Sequence, residues 1–84
     1  MEAVECWIYL QDNTTKLVHW FTGPGTIGEI VNRVGIAFPH PNQKQRKFHV
    51  FLESDFQEQQ YNSLKLYESC RIPWSQTLRI IEVL

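Results

Sequence analysis

The sequence has no long apolar run, few cysteines and almost no net charge, and each absence excludes a class of protein. No stretch approaches the roughly 18 apolar residues of a membrane-spanning helix. Two cysteines, Cys6 and Cys70, are too few for a disulfide scaffold and predict two reduced thiols. The formal net charge of −1 argues against nucleic acid as a partner, because phosphate binding needs excess lysine and arginine. Acids near the N-terminus, where a secretory signal carries positive charge, favour a cytoplasmic domain with no membrane partner.

Groups that could carry out chemistry are equally scarce. The three histidines, His19, His40 and His49, show no ligand spacing with a cysteine or a carboxylate. Neither a Cys-x-x-Cys pair nor a His-Glu-x-x-His or P-loop motif is present. We therefore expect a protein that is not an enzyme, and we predict no catalytic residue, no metal ligand and no cofactor.

The chain is rich in strand patterns. Its 84 residues, 43% of them hydrophobic, fit one small domain spanning 1–84. Residues 4–10 alternate between two faces, and a polar turn separates them from a second strand at 16–21, which predicts an antiparallel hairpin. A third strand is predicted at 47–52 and a shorter fourth strand within 61–67. The last strand, 77–84, is apolar on both faces, which is typical of a central strand.

One helix is predicted between the second and third strands. Gly23-Pro24-Gly25 ends the second strand, and Thr26-Ile27-Gly28-Glu29 fits a capping box, in which the Glu29 carboxylate reaches back to the Thr26 N–H. Apolar residues then recur at one helix face, namely Ile27, Ile30, Val31 and Val34. Gly35 is a plausible stop, and the prolines of the polar loop 39–46 forbid continuation, so the helix is about ten residues long.

The order β-β-α-β-β-β predicts an α+β fold. Parallel pairing of the first and last strands would place both beneath the helix. The result would be a ubiquitin-like β-grasp roll, with a single helix on a mixed four- to five-stranded sheet. A small α+β sandwich of another topology uses the same elements and stays open as an alternative.

Excess apolar surface is the feature that points to function. One helix cannot cover all the large aromatic residues, which include Trp7, Tyr9, Trp20, Phe51, Tyr61, Tyr67 and Trp74. Some can form a minor core, and the remainder would be exposed, as in protein interfaces. The second and fourth strands are the expected sheet edges, and unpaired edges can pair with another chain. The basic run Lys44, Arg46 and Lys47 is either a solvated loop or a patch that meets the acidic segment 53–58 of another copy.

Several segments resemble one family. Thr26-Ile27-Gly28-Glu29 resembles the Thr-Leu-Gly-Asp/Gln stretch of DIX domains, which occur in Dishevelled and Axin. Residues 48–56 are similar to that family's Tyr-x-Phe-Lys…Asp-Phe segment. Arg71-Ile72-Pro73-Trp74 resembles its approach to the last strand. After Phe56 the sequence departs from the family, with Gln57-Glu58-Gln59-Gln60 in place of a Gly-Val-Val-like segment.

The resemblance implies a β-grasp domain that polymerises reversibly, head to tail, through its second and fourth strands. By position, the head surface would contain Lys16, Val18 and Trp20, and the tail surface Tyr61, Asn62 and Leu64. The implied function is a scaffold that binds copies of itself and related domains, and so raises the local concentration of partners. The alternative is a monomeric ubiquitin-like or Ras-associating domain that binds a different protein, such as a small GTPase.

Overall fold

A mixed four-stranded sheet forms the centre of the computed structural model, which describes residues 3–21, 25–39 and 46–83. The strands are β1 (Val4–Tyr9), β2 (Thr15–Trp20), β3 (Lys47–Leu52) and β4 (Thr77–Val83). The helices are α1 (Ile27–Ala37) and α2 (Glu53–Gln59), and a 3₁₀ turn follows at Gln60–Asn62. Most of the predicted loop 39–46, and Gly23 and Pro24 of the predicted turn, lie outside the described residues.

The strand order across the sheet is β2-β1-β4-β3. β1 pairs antiparallel with β2 and parallel with β4, and β3 pairs antiparallel with β4. The predicted hairpin and the predicted parallel pairing of the first and last strands are both present. β4 lies inside the sheet, as its two apolar faces indicated. The molecule is therefore an α+β fold with one mixed sheet.

The fourth strand predicted within 61–67 is wrong. The described chain has α2 and the 3₁₀ turn in this region, so the prediction of a single helix is also wrong. Only Leu66 bridges to the sheet, where its N–H donates to the Val50 carbonyl at 2.7 Å. The Leu64 N–H is bound instead by the Asp55 carboxylate at 3.2 Å. Because the Asp55 side chain takes the Leu64 N–H, the segment 61–67 does not form a continuous ladder of backbone hydrogen bonds with β3.

Helix α1 begins as its sequence indicated and ends later. Thr26 caps it, since its hydroxyl accepts from the Glu29 N–H at 3.4 Å. The Glu29 carboxylate accepts from the Gly25 N–H at 2.8 Å, not from the Thr26 N–H as predicted. The stop predicted at Gly35 is also wrong, because α1 continues to Ala37.

The segment before β4 docks against the start of α1. The Ile27 N–H donates to the Cys70 carbonyl at 2.9 Å, and the Gly28 N–H donates to the Glu68 carbonyl at 3.0 Å. These bonds satisfy two amides of the first helical turn, which have no partner within the helix. The approach is tight at Gly28, where a Cβ would lie 3.1 Å from the Glu68 Cβ and 3.3 Å from the Glu68 carbonyl oxygen.

The core lies between α1 and the inner face of the sheet. Its members are apolar residues from α1, from the strands β1, β3 and β4, and from the segment before β4: Val4, Cys6, Ile8, Ile27, Ile30, Val34, Val50, Ile72, Leu78 and Ile80. Burying a side chain of this kind contributes about 1.5–3 kcal/mol, so this layer supplies most of the folding free energy.

A buried ion pair closes the C-terminal end of α1. The Arg46 Nε lies 2.6 Å from one Glu82 carboxylate oxygen, and the two side chains are 10% and 3% exposed. Arg46 also donates to the Phe38 carbonyl at 2.8 Å and the Gly35 carbonyl at 3.4 Å. The Gln11 N–H donates to the same Glu82 carboxylate at 3.2 Å. One arginine thus satisfies late helical carbonyls, which explains why α1 passes Gly35.

We predict opposite effects for alanine at the two helical glycines. Gly35→Ala should stabilise the fold by about 0.5–1 kcal/mol, because alanine favours the helix; no atom lies within 4 Å of its Cβ. Gly28→Ala should lose that gain or destabilise, since its Cβ meets the Glu68 backbone. Urea denaturation of both variants measures the difference, and equal stabilisation by both would contradict the close approach at Gly28.

Neutralising Glu82 should be costly. Glu82→Gln leaves the Arg46 guanidinium buried without its counter-charge, and we expect a loss of about 3 kcal/mol in the free energy of unfolding. Glu5→Gln is the control, because Glu5 pairs with His19 at an exposed position and should cost less than about 1 kcal/mol. Equal urea midpoints for the two variants would contradict the structural role of Arg46–Glu82.

Candidate functional site

The outer face of the sheet, opposite α1, carries most of the polar and aromatic strand residues. They alternate with the core residues and include Glu5, Trp7, Tyr9, Leu17, His19, His49, Phe51, Arg79 and Ile81. Helix α2 packs over the β3–β4 side of this face. The β1–β2 side of the outer face has no helix over it among the described residues.

Arg79 joins α2 to the outer face. Its guanidinium forms two hydrogen bonds with the Glu53 carboxylate, at 3.0 and 2.5 Å. It also lies 4.7 Å from the centroid of the Tyr9 ring and 4.2 Å from that of Phe56. The sequence analysis missed this cluster, because it placed Glu53 in an acidic segment available to another copy, whereas Glu53 is buried.

Some residues of the predicted basic run 44–47 and acidic segment 53–58 form ion pairs within the molecule. Arg46 pairs with Glu82 and Glu53 pairs with Arg79. Lys44 lies outside the described residues. Lys47 and Glu58 are exposed, so they are the described members of the two patches that stay available for a partner.

A small pocket lies between α2 and the sheet. Its volume is about 240 Å³, below the roughly 300–1,000 Å³ of sites for small-molecule ligands. The apolar lining consists of Phe51, Phe56, Ile81 and Val83, and the polar lining consists of His49, Ser63 and Lys65. A space of this size and composition suits one apolar side chain.

Positive charge surrounds this pocket. Burial lowers the pKa of His49 below its ordinary value of 6.5, and the positive charges of Lys65 and Lys47 lower it further. His49 is therefore neutral at pH 7, and the two lysines supply the charge at the pocket.

The first sheet edge is β2, which pairs only with β1 among the described strands. Of the predicted head residues, Lys16 is exposed, whereas Val18 and Trp20 are half-buried against the core. The strongest apolar exposure at this edge belongs to Leu17, at 45%, and Phe21, at 53%. The sequence analysis missed Leu17 and Phe21, because it expected the alternate residues Val18 and Trp20 to form the exposed surface. The head prediction itself stays a prediction.

The opposite edge contains β3 and the extended residues 64–67 beside it. The predicted tail residues Tyr61 and Asn62 lie in the 3₁₀ turn. Leu64 is 83% exposed and Tyr67 is 75% exposed. The backbone N–H and C=O of Lys65 have no hydrogen-bond partner among the described residues. The tail surface predicted at 61–64 also stays a prediction, and the structure adds Lys65 and Tyr67 to its neighbourhood.

Reactive groups do not gather at either edge. Both cysteines are free thiols, and burial raises the pKa of the Cys6 thiol to about 12, so it stays protonated. Within the described ranges, no group of three His, Cys, Asp or Glu side chains could hold a metal ion. No helix among them has the length and apolar character needed to span a bilayer.

The pKa of His49 gives a direct test of the pocket. Lys65→Met should raise this pKa towards 6.5, because it removes a neighbouring positive charge. Lys16→Met, at the opposite edge, should leave it unchanged. Proton NMR titration of the imidazole measures both, and an unchanged His49 pKa in Lys65→Met would contradict the arrangement.

Stability should follow the same proton. In the unfolded chain His49 takes up a proton at its ordinary pKa, whereas in the folded chain the pKa of His49 is lower. The His49 contribution therefore lowers the free energy of unfolding as the pH falls below 6.5.

Among the described residues, the two edges carry exposed apolar side chains, and the pocket joins an apolar lining to a lysine. No protein-family model matches the sequence, and no curated protein matches it either.

Proposed function

We propose that this chain is a non-enzymatic cytoplasmic interaction module that self-associates head to tail. In this proposal it has the ubiquitin-like β-grasp fold of the DIX family it resembles. The oligomers or filaments would act as a scaffold that raises the local concentration of partners. The parallel pair β1–β4 beneath α1 supports the β-grasp assignment, since this is the arrangement that the fold requires.

One observation carries the proposal. The described chain exposes five large apolar residues, and four of them lie at the two opposite sheet edges: Leu17, Phe21, Leu64 and Tyr67. The fifth, Ile36, lies on α1. Because the two edges differ in sequence and shape, a contact between them is heterologous and leaves a free head and a free tail on each pair of copies. Repetition of such a contact builds an open chain of copies, or a ring where the rotation between copies closes.

Backbone geometry supports the same contact. Strand addition needs an unpaired edge on each partner. β2 offers a strand of six residues, Thr15–Trp20. The other edge offers Lys65, whose backbone groups lack partners among the described residues. Since this second edge is short, each contact is weak, and a filament gains strength by repetition.

Two variants test the contact separately. Lys16→Glu changes the head and Leu64→Asp changes the tail, and both positions are exposed, so the fold should persist. Each variant should weaken self-association by about tenfold, which corresponds to ~1.4 kcal/mol per contact. Mixing the two should restore one intact head and one intact tail and give 1:1 dimers. Sedimentation equilibrium measures the masses.

Ile36→Asp is the matched control, because Ile36 is 72% exposed on α1 and belongs to neither edge. It should associate as the unchanged protein does. A constant monomer mass of the unchanged protein up to millimolar concentration would contradict the proposal. That outcome would favour the alternative of a monomeric ubiquitin-like or Ras-associating domain.

A further inference from the structure

The pocket beside α2 is not needed for pairing between strand edges. It opens on the outer face of the sheet, whereas edge pairing uses backbone groups at the margin. Four apolar side chains, Phe51, Phe56, Ile81 and Val83, line a space of about 240 Å³. The pocket opens to solvent, so water meets its apolar lining. Insertion of one aromatic or branched side chain would displace this water and add packing contacts.

The charge around the pocket selects what can accompany that side chain. Lys65 lines the pocket, and Lys47 precedes His49 by two residues on the same face of β3. Both lysines are exposed, and no described acid forms an ion pair with either. The nearby Asp55 carboxylate is bound to the Leu64 N–H. The pocket therefore joins an apolar floor to a basic rim whose two lysines form no ion pair with a described acid.

We propose that this pocket binds a short acidic segment of a partner protein, which inserts one aromatic or large aliphatic side chain and places flanking carboxylates near Lys65 and Lys47. The apolar side chain supplies most of the affinity, because it displaces water from the lining. The carboxylates supply selectivity and a faster approach to the basic rim. This partner is not a second copy, and its backbone would compete with the β2 edge of another copy for the Lys65 N–H and C=O.

The backbone of such a segment can form hydrogen bonds beside the pocket. The Lys65 N–H and C=O, at the rim, have no partner among the described residues. An extended peptide can hydrogen-bond there as an added strand, and side chains at alternate positions then face the pocket.

Fluorescence anisotropy with a defined peptide tests this proposal. The probe is fluorescein-Gly-Asp-Glu-Phe-Asp-Glu-Gly-amide, titrated with low micromolar protein so that self-association is minor. Two control peptides carry serine for phenylalanine, or asparagine and glutamine for the acids. The serine control should bind at least about tenfold more weakly than the parent peptide, because it lacks the side chain that fills the pocket, and the neutral control about threefold more weakly, because it lacks the carboxylates.

Protein variants locate the site. Lys65→Glu should weaken binding about tenfold by reversing the rim charge. Val83→Phe, which fills the pocket without changing charge, should weaken it comparably. Lys16→Glu, at the other edge, should bind the peptide as the unchanged protein does, although it is expected to lose self-association. Circular dichroism checks that each variant is folded.

Three results would overturn the proposal. One is equal binding of the peptide by Lys65→Glu and the unchanged protein. Another is an equal loss in Lys16→Glu, which would indicate attraction to charge in general. The third combines two observations: the unchanged protein does not bind the peptide even at millimolar protein concentration, and Val83→Phe self-associates more weakly than the unchanged protein. The pocket would then belong to the contact between copies. Monomeric protein that still binds the peptide would refute the head-to-tail contact and leave this proposal standing.

Discussion

The pairing of Arg46 with Glu82 is the interaction on which the arrangement of the elements depends. The guanidinium contacts the end of α1, the carboxylate comes from β4, and the Gln11 N–H ties the β1–β2 hairpin to the same carboxylate. A buried ion pair contributes little net stability, because both charges lose their hydration. Its effect here is positional. Arg46 stands directly before β3, so its contacts fix where β3 starts relative to α1 and β4.

The two faces of the sheet are covered by different kinds of contact. The inner face is closed by α1 in the usual way, with a continuous apolar layer. Among the described residues, the outer face is covered by α2, with seven residues, on its β3–β4 side. Arg79 lies between aromatic rings and is bonded to Glu53, and it fastens that helix to the sheet. No described helix lies over the β1–β2 side of this face.

Local patterns predicted those parts of the fold that local physics determines. Strand patterns identified β1, β2 and β3, and the Thr26 cap marked the start of α1. A segment apolar on both faces predicted β4 and its place inside the sheet. The errors lie where distant residues decide. α2 has few apolar residues and depends on Arg79, which is 26 positions from Glu53. The end of α1 depends on Arg46, and the predicted strand at 61–67 loses its pairing to the Asp55 carboxylate.

The same distinction holds for the candidate site. Periodicity on β2 separated Lys16, Val18 and Trp20 from their neighbours, but it could not tell which set faces the core. The pairing of Cys6 with Val18 places this set on the inner face. A shift of one residue would reverse both faces, so exposure on an edge strand is set by register across the sheet. The pocket also lies beyond sequence patterns, since it joins β3, α2, β4 and the segment that follows the 3₁₀ turn.

The unequal treatment of the two edges bears on how strong any association through them can be. The β3 edge is partly covered, because Leu66 already occupies the Val50 carbonyl. The β2 edge has no strand beyond it in the described chain, yet Lys16 stands on it. Charged residues on edge strands oppose indiscriminate pairing, because strand addition would have to desolvate them or find a matching acid. An edge guarded in this way disfavours pairing with arbitrary strands.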